Sequence, residues 1–395
     1  MRVLYFADIR FPLERANGIQ TMETCHALAR RGHFVSLVVR PDTQSPSRNP
    51  FEFYGLPLIA RFTIEYAPVR GPPFARRAGY LAFAIGRMLG ASRADVVMTR
   101  DLGVGSALLR VPRTLRPPVV YESHGYAPDV AAALPEMIST ANPPSATKIK
   151  RLQRRETFVW RSADGYITIT AGLAAELEQR FGRRRAVAVV PDGTRLAADQ
   201  GRATVEDRRP VIVYAGHLYA WKGVDVLLEA LRELGDVRGL IVGGHEKEPD
   251  LARLREQAAR LGIADRVMFT GLVAPPDVAG HLRAGSVLVL PNPASAISTR
   301  FTSPLKLFEY MAAGRPIVAS DLPSIREVLR HEQNALLVEP GNAVALAAGV
   351  RRLLDDRPLA DRLAQAAVTD VASYSWDRRA ERLETLLLQV THSTR

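Results

Sequence analysis

Short apolar runs alternate along the chain with stretches whose apolar residues recur every three or four positions. Val3–Ala7, Phe34–Val39 and Val119–Ser123 lie in the first half; Val211–Ala215, Leu240–Gly244, Ser286–Leu290 and Ile317–Ala319 lie in the second. Runs this short and this rich in aliphatic residues predict strands buried on both faces. A longer run, 265–273 (DRVMFTGLV), predicts a further strand. Between them Ile19, Met22, Cys25 and Ala29 share one helical face, closed by Gly32. Leu227, Leu228, Leu231 and Leu234 form a second stripe, and Trp376, Ala380, Leu383, Leu387 and Val390 a third, with Ser375 as its cap. Strands alternating with helices predict parallel α/β sheets. Residues 197–210 (AADQGRATVEDRRP) lack apolar periodicity and read as a linker. The expected domains are therefore 1–196 and 210–372, with a final helical segment over 373–395.

Composition sharpens this picture in three places. A chain of 395 residues with 47% hydrophobic and 24% charged residues is an ordinary globular protein with room for two cores. One cysteine, Cys25, excludes an intramolecular disulfide and any cysteine-based zinc site, and fits a reducing cytoplasm. The opening MRVLYFADIR is interrupted by Asp8 and Arg10, so a signal peptide is not expected, and no run approaches a membrane span. The net charge of +12 is unevenly placed: residues 1–190 hold 27 Lys and Arg against 15 Asp and Glu, and the remainder is balanced. The asymmetry suggests an anionic partner for the first half. Arg-rich usage throughout the source proteome is the competing explanation.

Most of the candidate chemistry lies between Ser286 and Ser320. A strand is followed by a long loop, PNPASAISTRFT, then SPLKLFEYMAA, GRP and a second strand. Ser303 and Pro304 suit the N-cap and first position of a helix, Gly314 its C-terminal cap, and Pro316 its end. In a parallel sheet, ligands sit where such a loop enters a helix, and the unpaired N–H groups there favour a phosphate. Lys306 adds positive charge in the first turn. Glu309 is placed to accept hydrogen bonds from sugar hydroxyls.

SPLKLFEYMAAGRPIVAS resembles the nucleotide-sugar signature of the family 4 glycosyltransferases. The resemblance implies the GT-B fold, an α/β architecture of two Rossmann-like parallel-sheet domains facing a cleft. It implies that Glu309 holds the nucleotide ribose and that Thr302, Ser303, Pro304, Leu305 and Lys306 face the diphosphate. The family places a second glutamate where this chain has Phe301, so a sugar-binding carboxylate is missing. Val211–Ala215, Gly216, His217 and the loop to Lys222 and Gly223 resemble the family's diphosphate site, with His217 in place of an arginine. Lys222 and His217 are then the candidates for stabilising the leaving group. LIVGG brings Gly243 and Gly244 toward the nucleotide. The loop from Asp8 to Gly18 corresponds to a glycine-containing loop facing donor and acceptor. His124, directly after Val119–Ser123, corresponds to a histidine beside the reacting sugar; a loop histidine capping a turn is the alternative. Glu122 and Glu14 are weaker candidates for acceptor hydroxyls, with a structural or solvated role as the alternative for each. In VVPDGTRL, Asp192 and Arg195 stand where the family has Asn and Asp. The final helix is expected to return to the N-terminal domain.

The resulting expectation is a retaining, metal-independent hexosyltransferase. Its donor is a nucleotide-diphosphate sugar and its acceptor a glycan or lipid-linked molecule, with no cofactor. A nucleotide-sugar 2-epimerase and a catalytically silent sugar-nucleotide-binding protein are the other readings. No DxD pair or close histidine pair marks a metal site, and no nucleic-acid-binding module is recognisable. Residues 74–93 and 147–161 combine arginines and lysines with large apolar residues. Such segments can lie on an anionic bilayer; core helices with solvated arginines are the alternative for each. The expected location is the cytoplasm, with peripheral attachment to the membrane's inner face as an extension.

Overall fold

In the computed structural model the described residues are 1–90, 94–137, 142–196, 209–245, 249–295, 298–299 and 305–392. The chain forms two compact units. The first comprises Met1–Ala132, Pro144–Gly193 and Trp376–Arg395; the second comprises Ala133–Pro143 and Thr194–Ser375.

The first unit is built on a seven-stranded parallel sheet. Its strands are β1 (Arg2–Arg10), β2 (Phe34–Arg40), β3 (Phe62–Tyr66), β4 (Val96–Thr99), β5 (Val119–Ser123), β6 (Gly165–Thr168) and β7 (Val187–Val189). They lie in the order β3-β2-β1-β4-β5-β6-β7. β4, β5 and β6 are buried along their whole length, as unbroken aliphatic runs require when helices cover both faces. The last helix, Trp376–His392, belongs to this unit and packs on the helix Ala16–Arg30. Its stripe of Trp376, Ala380, Leu383, Leu387 and Val390 is buried. Gly165 admits this helix closely: a Cβ there would lie 3.0 Å from Val390.

The second unit repeats the design with six parallel strands. They are β8 (Val211–Ala215), β9 (Arg238–Val242), β10 (Val267–Phe269), β11 (Val287–Leu290), β12 (Ile317–Ser320) and β13 (Leu336–Val338), in the order β10-β9-β8-β11-β12-β13. The two-residue period of a strand divides its core. Ile212, Tyr214, Val287 and Val289 join Leu227 and Leu231 on one face. Val213, Ala215, Leu288 and Leu290 join Phe308 and Tyr310 on the other. Each such aliphatic side chain contributes about 1.5–3 kcal/mol by burial. Strand order reverses between β1 and β4 and between β8 and β11, and ligands of doubly wound sheets bind at the carboxyl ends of strands beside such reversals.

Three sequence expectations are corrected here. Gly18 is not in a loop: it lies in the first turn of the helix Ala16–Arg30. A Cβ at Gly18 would collide with the Leu13 carbonyl and the Tyr54 hydroxyl, so its small size serves packing. The strand expected over 265–273 is only Val267–Phe269, an edge strand whose parallel pairing ends at Phe269; Gly271 (φ +73°) then forms an isolated antiparallel bridge with Gly243. Gly243 and Gly244 lie beyond β9 rather than in it, both at positive φ.

Candidate functional sites in the two units

In the second unit the carboxyl ends of β8 and β9 come together through glycine. Gly216 (φ +140°) donates its N–H to the Val242 carbonyl at 2.8 Å. Gly243 has φ +119°, and a Cβ there would strike the Gly216 carbonyl. Both positions need glycine for conformation, and Gly243 also needs it for space. Gly244 packs against Leu218. The Tyr214 hydroxyl donates to the His217 carbonyl at 2.6 Å and holds the loop after β8. The His217 ring stacks on Tyr219, 5.1 Å between centroids. A 3-10 turn, Ala220–Lys222, and Gly223 (φ +75°) lead into the helix Val224–Glu233, whose N-terminus has no side-chain cap.

Two lysines converge on this loop. Lys306 is buried, its Nζ 4.1 Å from the centroid of the Tyr214 ring and without a hydrogen-bond partner among the described residues. A Cβ on Gly216 would lie 3.6 Å from that Nζ. The Lys222 stem keeps some exposure, but its Nζ sits 3.4 Å over the Trp221 ring. Burial lowers the Lys222 pKa to about 7. Burial, reinforced by the nearby Lys222, drives Lys306 well below the ordinary lysine value, and Glu309 only partly offsets this. Trp221 Nε1 is likewise buried without an acceptor, and Asn292 Oδ1 and Asp225 Oδ1 without donors. An unpaired buried donor or acceptor costs about 1–3 kcal/mol. Glu309 is half-buried, three residues after Lys306 on the helix Leu305–Ala312 and on its face. Leu305 is directed into the core and can offer a ligand only its backbone. Phe301, Thr302, Ser303 and Pro304 lie outside the described residues.

The first unit has its own polar centre, at the end of β5. His124 Nε2 meets Glu122 Oε1 at 2.6 Å. The same oxygen accepts from Gln20 Nε2 at 2.7 Å and from Arg379 Nη2 at 2.6 Å. Arg379, on the last helix, is 1% exposed and also donates to the Val190 and Pro191 carbonyls and to Thr24 Oγ1. Burial alone would raise the Glu122 pKa, but Arg379, then His124 and Arg100, outweigh it and keep the carboxyl ionised. Burial and Arg100 lower the His124 pKa against the pull of Glu122. A neutral His124 beside an anionic Glu122 carries its proton on Nε2 and leaves Nδ1 as an acceptor. Asp192 is buried beside this group, its pKa raised chiefly by burial, and Arg379 Nη1 is 3.9 Å away.

Ligand atoms of Glu122, His124 and Asp192 lie within 4.8 Å of one another, close enough to surround a cation. The Arg379 guanidinium already supplies the positive charge among the two carboxylates, and a metal ion there would meet its repulsion. Glu122 is thereby a buried ion-pair partner, the structural alternative to holding acceptor hydroxyls. Glu14 is also structural: it pairs with Arg10 and Arg48. Arg379 escaped sequence reading because an arginine in a surface helix reads as solvated. One signal was present. Position 379 is three residues after Trp376 and four before Leu383, on the apolar stripe.

Comparison with known proteins agrees with this architecture. Residues 18–193 match the model of a glycosyl transferase 4-like domain, and residues 209–356 the model of glycosyl transferases group 1. The chain is 29% identical over 287 residues to a D-inositol 3-phosphate glycosyltransferase of Nocardia farcinica, covering 68% of this chain and 60% of that one. It spans about half the length of the curated relatives it matches. Among solved structures, sucrose-phosphate synthase of Thermosynechococcus elongatus superposes with a TM-score of 0.79 at 17% identity, covering 99% of both chains. Anabaena HepE, solved with UDP and glucose, superposes with a TM-score of 0.73 at 18% identity, covering 98% of this chain and 99% of that one. With one unit matched as a glycosyl transferase 4-like domain and the other as a group 1 domain, the chain belongs to the GT-B glycosyltransferases of the family 4 type.

Proposed function

We propose that this protein transfers a hexose-type sugar from a nucleotide-diphosphate sugar to a hydroxyl of a glycan or lipid-linked acceptor, with retention of anomeric configuration and without a metal. The observation that carries the reading is the pair Lys222 and Lys306. Lys306 Nζ is buried without a hydrogen-bond partner among the described residues, and the nearby Lys222 lowers its charge further; a diphosphate between the two would satisfy both. As the bond from the anomeric carbon to the diphosphate oxygen breaks, negative charge grows on that oxygen. Fixed cations in a site shielded from water stabilise it. The acceptor oxygen bonds to the anomeric carbon on the face the diphosphate leaves, and the acceptor proton passes to the departing oxygen. Glu309 holds ribose hydroxyls. In the first unit, His124 Nδ1 accepts a hydrogen bond from a sugar hydroxyl, with Glu122 holding the ring. The nucleotide donor and the single buried Cys25 fit a cytoplasmic setting. No helix among the described residues is long and apolar enough to cross a membrane.

The direct test is a thermal-shift screen with UDP, GDP, ADP and dTDP and their sugars, followed by product analysis with the stabilising donor. One base should raise the melting temperature, since ligand binding stabilises the native state by mass action. Glu309→Ala should weaken that nucleotide by about 1–3 kcal/mol in calorimetry, because ribose hydroxyls lose their acceptor. A screen in which no nucleotide stabilises the protein rejects the reading.

The lysine pair also sets a pH dependence. Free Lys222 loses its proton near pH 7, whereas a bound diphosphate holds the charged form and raises that pKa. Binding should therefore take up a proton, and donor affinity should fall as pH rises from 7 to 9, by at most about tenfold per pH unit. Calorimetry of the nucleotide sugar in buffers of different ionisation enthalpy measures the uptake. Zero uptake at pH 8 would separate Lys222 from the diphosphate.

A further inference from the structure

The two basic amphipathic segments of the sequence part company in the fold. In the helix Pro73–Leu89, Arg77 pairs with Asp8 and with Asp101, and Arg87 with Glu65 at 2.7 Å. Their charge is spent within the unit. The helix Ala146–Ser162 is different. Lys148, Lys150, Arg151, Arg154 and Arg161 are exposed, with no ion-pair partner among the described residues. Its one acid, Glu156, is buried on the opposite side. Five exposed cations with no acid among them make this face positive.

The helix's apolar side is already occupied. Val159 and Trp160 are buried, and Trp160 donates through Nε1 to the Gly182 carbonyl at 3.0 Å and packs edge-on against Tyr166. Neither Val159 nor Trp160 is free to enter a bilayer. A depression of about 650 Å³ runs along Lys150, Gln153, Arg154, Thr157, Phe158 and Arg161. These positions recur at three- and four-residue steps and form one straight stripe. From Lys150 to Arg161 the stripe is roughly 17 Å long at the helical rise.

We propose that this stripe of the helix Ala146–Ser162 is a docking face for the phosphate headgroups of an anionic bilayer. The charge complementarity is one-sided and extended, as a headgroup plane requires. Hydroxyl and amide groups from Thr157 and Gln153 lie between the cations. A single-stranded nucleic acid would need exposed aromatic platforms. Phe158, the one aromatic residue of the depression, is half-buried and covered by the Arg110 guanidinium at 4.9 Å. The face stands independently of the donor chemistry, because its readout is binding and not turnover.

The test is co-sedimentation with vesicles of phosphatidylcholine alone or mixed with phosphatidylglycerol. The wild-type protein should bind the mixed vesicles at 20 mM salt and be released as salt rises through the screening range. Lys150→Gln, Arg154→Gln and Arg161→Gln together should weaken binding about 100-fold, at roughly fivefold per removed charge. The three sites are exposed, and an unchanged melting temperature verifies the fold. Arg87→Gln should leave vesicle binding unchanged. Failure to bind anionic vesicles at low salt overturns the proposal, as does equal binding by the triple variant. Tighter binding to a random-sequence DNA duplex, lost in the same variant, assigns the face to nucleic acid instead. Release by millimolar inorganic phosphate, but not by chloride of equal ionic strength, makes it a discrete phosphate site and not a bilayer surface.

Discussion

Replacing Arg379 by methionine is expected to destabilise the first unit by about 3–5 kcal/mol, the usual cost of breaking a buried ion pair by removing one partner. The cause is specific. Glu122 Oε1 would lose a donor at 2.6 Å, and the Val190 and Pro191 carbonyls would lose donors at 2.8 Å. Glu122 and Asp192 would remain as two buried carboxylates without their guanidinium. For a unit of this size the melting temperature should fall by roughly 10 °C. Adding Glu122→Gln should recover part of the loss, because the uncompensated charge disappears. Scanning calorimetry separates the outcomes. A drop of less than ~2 °C, or strict additivity of the two changes, would show that Arg379 and Glu122 are not coupled.

The second large effect has the opposite sign for stability. Lys306→Met should raise the stability of the ligand-free second unit by about 0.5–2 kcal/mol, because an unpartnered buried amine gives way to a thioether of similar length. The same change should weaken nucleotide binding by about 100-fold or more. Lys222→Ala should lower turnover by about 10²-fold or more with a smaller effect on donor affinity, since charge on the leaving diphosphate grows in the transition state. EDTA should leave both proteins' rates unaltered. A Lys306→Met protein that is less stable and still binds nucleotide would make Lys306 a structural residue. Rates abolished by EDTA and restored by Mg²⁺ would replace the lysines with a metal.

Much of this was legible in the sequence because parallel sheets write themselves as unbroken aliphatic runs. β5 and β8 begin and end where their apolar runs do. The helix Leu305–Ala312 carries Lys306 and Glu309 together, as the motif's spacing requires. What escaped depends on partners distant in the chain. Nothing near Arg77 indicates that Asp8 and Asp101 neutralise it, so the two basic helices looked alike. Nothing near Glu122 announces Arg379, 257 residues away. Gly18 read as a loop residue because Pro12 and the polar Glu14–Asn17 stretch obscure the start of its helix, which has no side-chain cap at Arg15. Edge strand β10 read too long because its apolar run continues past Phe269, where its parallel ladder ends.

The division of the chain has a consequence for its synthesis. The first unit is not a continuous segment: it needs Trp376–Arg395 as well as Met1–Ala132 and Pro144–Gly193. A ribosome making this chain releases the long segment Thr194–Ser375 before it supplies that helix. The unit that starts first is therefore finished last. Until then the surface of the helix Ala16–Arg30 that receives the last helix is exposed on the nascent chain, and Glu122 waits without its guanidinium. A premature stop codon at Trp376 would leave the first unit permanently in that unfinished state.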